Sequence, residues 1–157
     1  VTSTPYLPRI VDHELDELLP QLPAIVIEGA KAVGKTETAR RRAGTIQQLD
    51  DPGRRAIVEA EPARALAGPA PVLIDEWQRV PSVWDAVRRA VDRGSAPGQF
   101  LLTGSASPAA APTHSGAGRI VTIRMRPLSL AERQLATPTV SLQALLVGNR
   151  PDVSGQT

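Results

Sequence analysis

The stretch GAKAVGKT, Gly29 to Thr36, follows directly on the apolar run AIVIE, Ala24 to Glu28, and leads into KTETARRRA, Lys35 to Ala43. It satisfies G-x-x-x-x-G-K-[ST] at every fixed position, and it lies between a run that reads as a buried strand and one that reads as a helix. That context is what the motif needs. Gly29 and Gly34 let the backbone turn so that its N–H groups converge on phosphate oxygens, and a helix starting near Lys35 adds the positive end of its dipole. The expected nucleotide-binding set is therefore Gly29, Ala30, Lys31, Ala32, Val33, Gly34, Lys35, Thr36 and Glu37. Lys35 is expected to reach the β and γ phosphates, and Thr36 to offer its hydroxyl to Mg²⁺. The plainer reading, an ordinary glycine turn before a helix, is weakened by having both flanks in place.

Downstream, VLIDE, Val72 to Glu76, is an apolar strand ending in two acids. Adjacent acids there divide the work: Asp75 can hold the Mg²⁺ shell while Glu76 orients and polarises an attacking water. No N-K-x-D guanine-reading motif occurs, and kinases and GTPases with phosphate loops usually lack the second acid, so ATP hydrolysis is favoured over GTP use or small-molecule phosphorylation. In LLTGS, Leu101 to Ser105, a strand ends in small hydroxyl residues. Ligands of parallel sheets sit beyond the carboxyl ends of the strands, so Thr103 or Ser105 can touch the γ-phosphate or the water; the alternative is a simple Thr-Gly-Ser turn. Arg119 is a candidate for reaching a neighbour's γ-phosphate, against the blander reading of a surface arginine. Trp84 reads as core, and Trp77 as core or a partner contact.

The other elements alternate. IVDHELDELLPQL places Ile10, Leu15, Leu18, Leu19 and Leu22 near helical spacing and stops at prolines. TIQQLD, PVLIDE, QFLLTG and RIVTIRM read as strands, and DPGRRAIVEAEPARALAG as a helix interrupted at Pro62 and closed at Gly68. VPSVWDAVRRAVDRG carries Val83, Val87 and Val91 on one stripe and ends at Gly94. Strands alternating with helices predict a three-layer α/β fold with a mainly parallel, five-stranded sheet. SASPAAAPTHSGAGR, between the last two strands, reads as a loop or broken helix near the site, and the tail as two short helices separated at a proline, the second over Val140 to Leu146.

Composition narrows the function classes. With no cysteine among 157 residues, disulfides, thiolate catalysis and Cys-based zinc sites are excluded, and two distant histidines, His13 and His114, argue against a His-rich metal site. A formal charge of +2 gives weak support to DNA binding, although arginines cluster in ARRRA and RIVTIRMRP. No apolar run approaches the roughly 20 residues of a membrane helix, and the layout of a signal peptide is missing, so a cytoplasmic location is expected.

Through YLPRIVDHELDELL, GAKAVGKT, LIDEWQRVPSVWDAVR, FLLTGSAS and GRIVTIRMRPLSLAE, the chain resembles the bacterial and archaeal AAA-type ATPases that fuse an N-terminal ATPase module to a C-terminal nuclease-like domain of unknown function. The resemblance implies an AAA-type P-loop fold, ATP and Mg²⁺ as ligands, Walker A and Walker B motifs, a sensor at Thr103 or Ser105, and Arg119 as a finger acting on a second subunit. Lys31 matches loosely, since relatives usually carry Arg nearby. Expected organisation is a helical lead-in over 1–23, a P-loop core over 24–127 and a helical tail over 128–157 that is truncated relative to the family. The leading expectation is an ATP-binding module with weak or partner-dependent hydrolysis. The alternatives are a non-catalytic, nucleotide-dependent interaction module, in which bound state governs a protein partner or self-association, and a DNA-associated regulator.

Overall fold

The computed structural model describes residues 6–105, 118–134 and 142–148. The chain divides into two compact units, Arg9–Pro127 and a smaller one formed by Val1–Pro8 with Leu128–Thr157.

The larger unit runs α1 (Ile10–Leu18), β1 (Ala24–Gly29), α2 (Lys35–Arg40), β2 (Thr45–Gln48), α3 (Pro52–Ala60), β3 (Val72–Asp75), α4 (Ser82–Asp92), β4 (Phe100–Ser105) and β5 (Val121–Arg124), with 3-10 turns at Pro62–Leu66 and Trp77–Arg79. All pairings are parallel, in the order β2-β3-β4-β1-β5. The expected mainly parallel, five-stranded sheet is thus wholly parallel.

Side chains alternate across each strand, and the alternation sorts the core into two layers. Ala24 and Val26 of β1, Val72 and Ile74 of β3, and Phe100 and Leu102 of β4 pack with Val58 of α3 and with Val83, Trp84, Val87 and Ala90 of α4. The intervening Ile25, Ile27, Leu73 and Leu101 pack on the opposite face with Val11 and Leu15 of α1 and Ala39 of α2. Helices therefore cover both faces, which gives the three-layer α/β architecture. Each fully buried aliphatic side chain contributes about 1.5–3 kcal/mol.

Several boundaries are tighter than periodicity predicts. α2 ends at Arg40 instead of Ala43. There the Arg42 N–H donates to Ala39 O, and its guanidinium reaches back to Asp16 Oδ1 at 2.7 Å and Asp12 Oδ1 at 2.8 Å on α1. Burial disfavours the Arg42 cation, but these two carboxylates outweigh it and its pKa is raised. Asp12 also caps α1, accepting from Arg9 N at 2.7 Å. α1 stops at Leu18, short of Leu22, and α3 starts with Asp51 accepting from Arg54 N at 2.7 Å.

In the smaller unit, Ser129 and Glu132 cap one another, Ser129 N to Glu132 Oε2 at 2.7 Å and Glu132 N to Ser129 Oγ at 3.2 Å, and open a turn over 130–134. The short helix α5 spans Leu142–Leu146. Residues 106–117, from the Ala-Pro-Ser-Gly segment, and 140–141, the start of the second tail helix, lie outside the described residues.

Candidate nucleotide site

β4 lies between β1 and β3, so the phosphate-loop strand and the acid strand are not neighbours. Thr103 is in register with Ile27 on one side and Asp75 on the other, and Ser105 with Gly29. The small hydroxyl residues at the carboxyl end of β4 are therefore held between loop and acids. Thr103 and Ser105 belong to the strand itself, not to a turn after it.

The turn from β1 into α2 is shaped by two different needs. At Gly29 the constraint is space: a Cβ would come 2.2 Å from Met125 O, past any tolerable contact. At Gly34 it is conformation, with φ at 101°, in the left-handed region that glycine enters freely. Ala32 is also left-handed, at φ 64°. The turn is anchored from outside by Arg9, which is buried, donating from Nη1 to Val33 O at 2.6 Å and from Nη2 to Arg126 O at 2.7 Å.

Lys35 is buried too, its Nζ donating to Gly29 O at 3.0 Å and Ala30 O at 2.7 Å. An ammonium has three donors, so two fix the lysine under the loop and one is left for a ligand. Thr36 Oγ1 donates to Asp75 Oδ1 at 2.7 Å, and Thr103 Oγ1 donates to the same oxygen. Asp75 is thereby gripped from α2 and from β4, inside a site where it is only 5% exposed. With its proton committed to Asp75, the Thr36 oxygen presents only lone pairs to its surroundings. Among the described residues no three His, Cys, Asp or Glu side chains group as a metal cage.

Glu76 takes a left-handed backbone, φ 57° and ψ 42°, and accepts from Gln78 Nε2 at 2.5 Å. The turn is locked from below: Trp77 is buried against Trp84, ring centroids 4.9 Å apart, and Arg79 N donates to Glu76 O at 2.9 Å. Trp77 is thus core.

Beyond the strand ends opens a cleft of about 560 Å³, lined by Lys31, Thr36, Gln48, Asp50, Asp75, Glu76, Arg79 and Ser105. Its size falls within the range of small-molecule sites. Lys31, Thr36, Asp75, Glu76 and Ser105 are the residues the sequence pattern marks; Gln48, Asp50 and Arg79 are additions. The signal for the first two is available only once β2 is known to pair with β3, which sets Gln48 level with Asp75. Glu37 is exposed in the first turn of α2.

Arg119 is not brought to this cleft. It precedes β5 and so sits at the amino edge of the parallel sheet, ion-paired with Asp92 at the end of α4. Nor is the arginine cluster after α2 wholly a free basic face, because Arg42 is committed to α1.

A wholly parallel, three-layer sheet with a glycine turn between β1 and α2 defines a P-loop-like α/β module of nucleotide-binding type. The chain belongs to the AAA domain family, whose model matches residues 21–134. It is similar to the uncharacterized protein Rv2008c of Mycobacterium tuberculosis and to the uncharacterized protein Mb2031c of Mycobacterium bovis, 29% identical to each over 124 residues. Those alignments cover 75% of this chain and 28% of each relative, so the chain spans under a third of their length. No helix among the described residues is long and apolar enough to cross a membrane.

Proposed function

We propose that this chain binds Mg·ATP at Gly29–Thr36 and hydrolyses it slowly to ADP and phosphate. The observation that carries the reading is the shared grip on Asp75 Oδ1 by Thr36 and Thr103. It joins the phosphate-loop helix, the acid strand and the strand between them through one oxygen. Mg²⁺, when bound, supplies charge neutralisation on the β and γ phosphates. Thr36 and Asp75 are the residues that hold it. Lys35 gives its third N–H to the β and γ oxygens, and the backbone of Ala30–Gly34 supplies donors around them.

Glu76, in the wall of the cleft, accepts the proton of the attacking water. Thr103 keeps Asp75 oriented, and Ser105 is a polar contact for the terminal phosphate. Arg119 lies at the opposite edge of the sheet from its own cleft, so any nucleotide it reaches is that of a second copy. Glu76→Gln tests the assignment: the amide is nearly isosteric and cannot take a proton. Mg·ATP affinity is expected to stay at the parent value while phosphate release falls by about 100-fold or more, within the range general-base catalysis supplies. Undiminished phosphate release removes Glu76 from the role.

A further inference from the structure

Gln78 follows Glu76 by two residues, and the two ends of its amide differ. Nε2 donates to Glu76 Oε2 at 2.5 Å. Oε1 is buried and meets no hydrogen-bond donor among the described residues. It lies over β4 at Gly104, where an added Cβ would come 2.9 Å from Gln78 Oε1 and 2.7 Å from Trp77 Nε1. Gly104 is therefore glycine to let this amide and the indole approach the strand. Reversing the amide would set its carbonyl oxygen against the Glu76 carboxylate, so only one orientation is stable. A buried acceptor left unpaired costs free energy and calls for an explanation. Here the other end of the same amide fixes the direction of a carboxylate.

We propose that Gln78, seated on Gly104, is a positioning residue for hydrolysis: it holds one oxygen of Glu76 and leaves the other to accept a proton from the attacking water. In that step the water oxygen bonds to the terminal phosphorus while the bond from phosphorus to the ADP oxygen breaks. The water proton passes to Glu76 and then to the released phosphate, and the carboxylate is regenerated. The inference rests on the reading of Glu76 as the base. It also ties the carboxyl end of β4 to the base through packing, since a shift of Gly104 moves Gln78 and with it Glu76.

The test is a double-mutant cycle on phosphate release, with Mg·ATP affinity measured in parallel. Gln78→Met keeps the reach of the side chain and removes the donor, and Gln78→Ala gives a second, smaller variant. Both are expected to lower kcat by about 10- to 100-fold, the scale of a misplacement near 1 Å, with KM and ATP affinity within about twofold of the parent. In a Glu76→Gln background neither is expected to lower the residual rate further, because the effect passes through Glu76. Gly104→Ala is expected to give the same kinetic signature by displacing the amide. Parent-like kcat in both Gln78 variants overturns the proposal, as does an equal loss with and without Glu76, or a loss confined to ATP affinity. A parent chain that binds Mg·ATP and releases no phosphate removes the hydrolysis reading itself, which is a different result from a parent that turns over and variants that match it.

Discussion

Thr103→Val removes one hydroxyl and keeps the shape of the side chain, at a position with no exposure to solvent. Asp75 Oδ1 then loses one of its two donors and keeps only Thr36. Water has no easy route to replace it, because Asp75 itself is only 5% exposed. The loss is therefore close to the full value of a hydrogen bond to a charged group, about 1.5–3 kcal/mol. For a domain of this size each kcal/mol lowers Tm by about 2–4 °C, which gives a drop of about 3–12 °C. Thermal unfolding followed by circular dichroism reads this directly. Thr103→Ser, which keeps the hydroxyl and loses a methyl group, is expected to cost only about 1 kcal/mol. If the valine variant melts with the parent, or the serine variant falls as far as the valine, the bond to Asp75 is not what holds this site.

Two further substitutions probe the loop and the opposite edge of the sheet. Gly29→Ala forces a Cβ into Met125 O, so the strand end must move; ATP affinity is expected to fall by at least about tenfold, with overpacking costing about 1–3 kcal/mol of stability. Calorimetry showing unchanged affinity would mean that the loop tolerates a displaced β1. Arg119→Ala breaks a pair with Asp92 in which both side chains are more than a third exposed, so stability changes by at most about 1 kcal/mol. Turnover per chain in dilute solution is expected to be unchanged, and a fall there, with light scattering showing monomers, would place Arg119 on its own cleft.

Local chemistry made much of this fold readable. The apolar runs before Gly29 and before Glu76 are short, β-rich and end in turn or charge signals, and each is a strand. The stripe of Val83 and Val87 with Trp84 is the buried face of α4. What the chain's own pattern does not carry is lateral order. β2 carries two glutamines and is only partly buried, as suits an edge strand, but nothing within β1, β3 or β4 says that β4 separates the other two, because the buried strands of a parallel sheet share the same apolar character. The candidate site follows the same division. Lys35, Thr36 and Asp75 are marked by spacing alone. Gln48, Asp50 and Arg79 reach the cleft through pairing and turn geometry. Gly104, which reads as the end of a strand or part of a turn, is a strand position, and only the packing shows that it is kept small by Trp77 and Gln78. Arg9 lies in no phosphate motif, yet it anchors the loop from 24 residues away in sequence.

The most direct test of the central claim is calorimetric titration of the chain with Mg·ATP, beside its Lys35→Ala variant. The lysine is a side-chain cation that the loop holds in place through Gly29 O and Ala30 O. Saturable binding of one nucleotide to the parent is expected, with loss of at least about 100-fold in affinity on removing a charge-assisted contact worth about 3 kcal/mol. The variant is expected to keep the parent's circular dichroism spectrum. A folded Lys35→Ala chain that binds Mg·ATP as tightly as its parent would contradict the assignment of Gly29–Thr36 as the phosphate site.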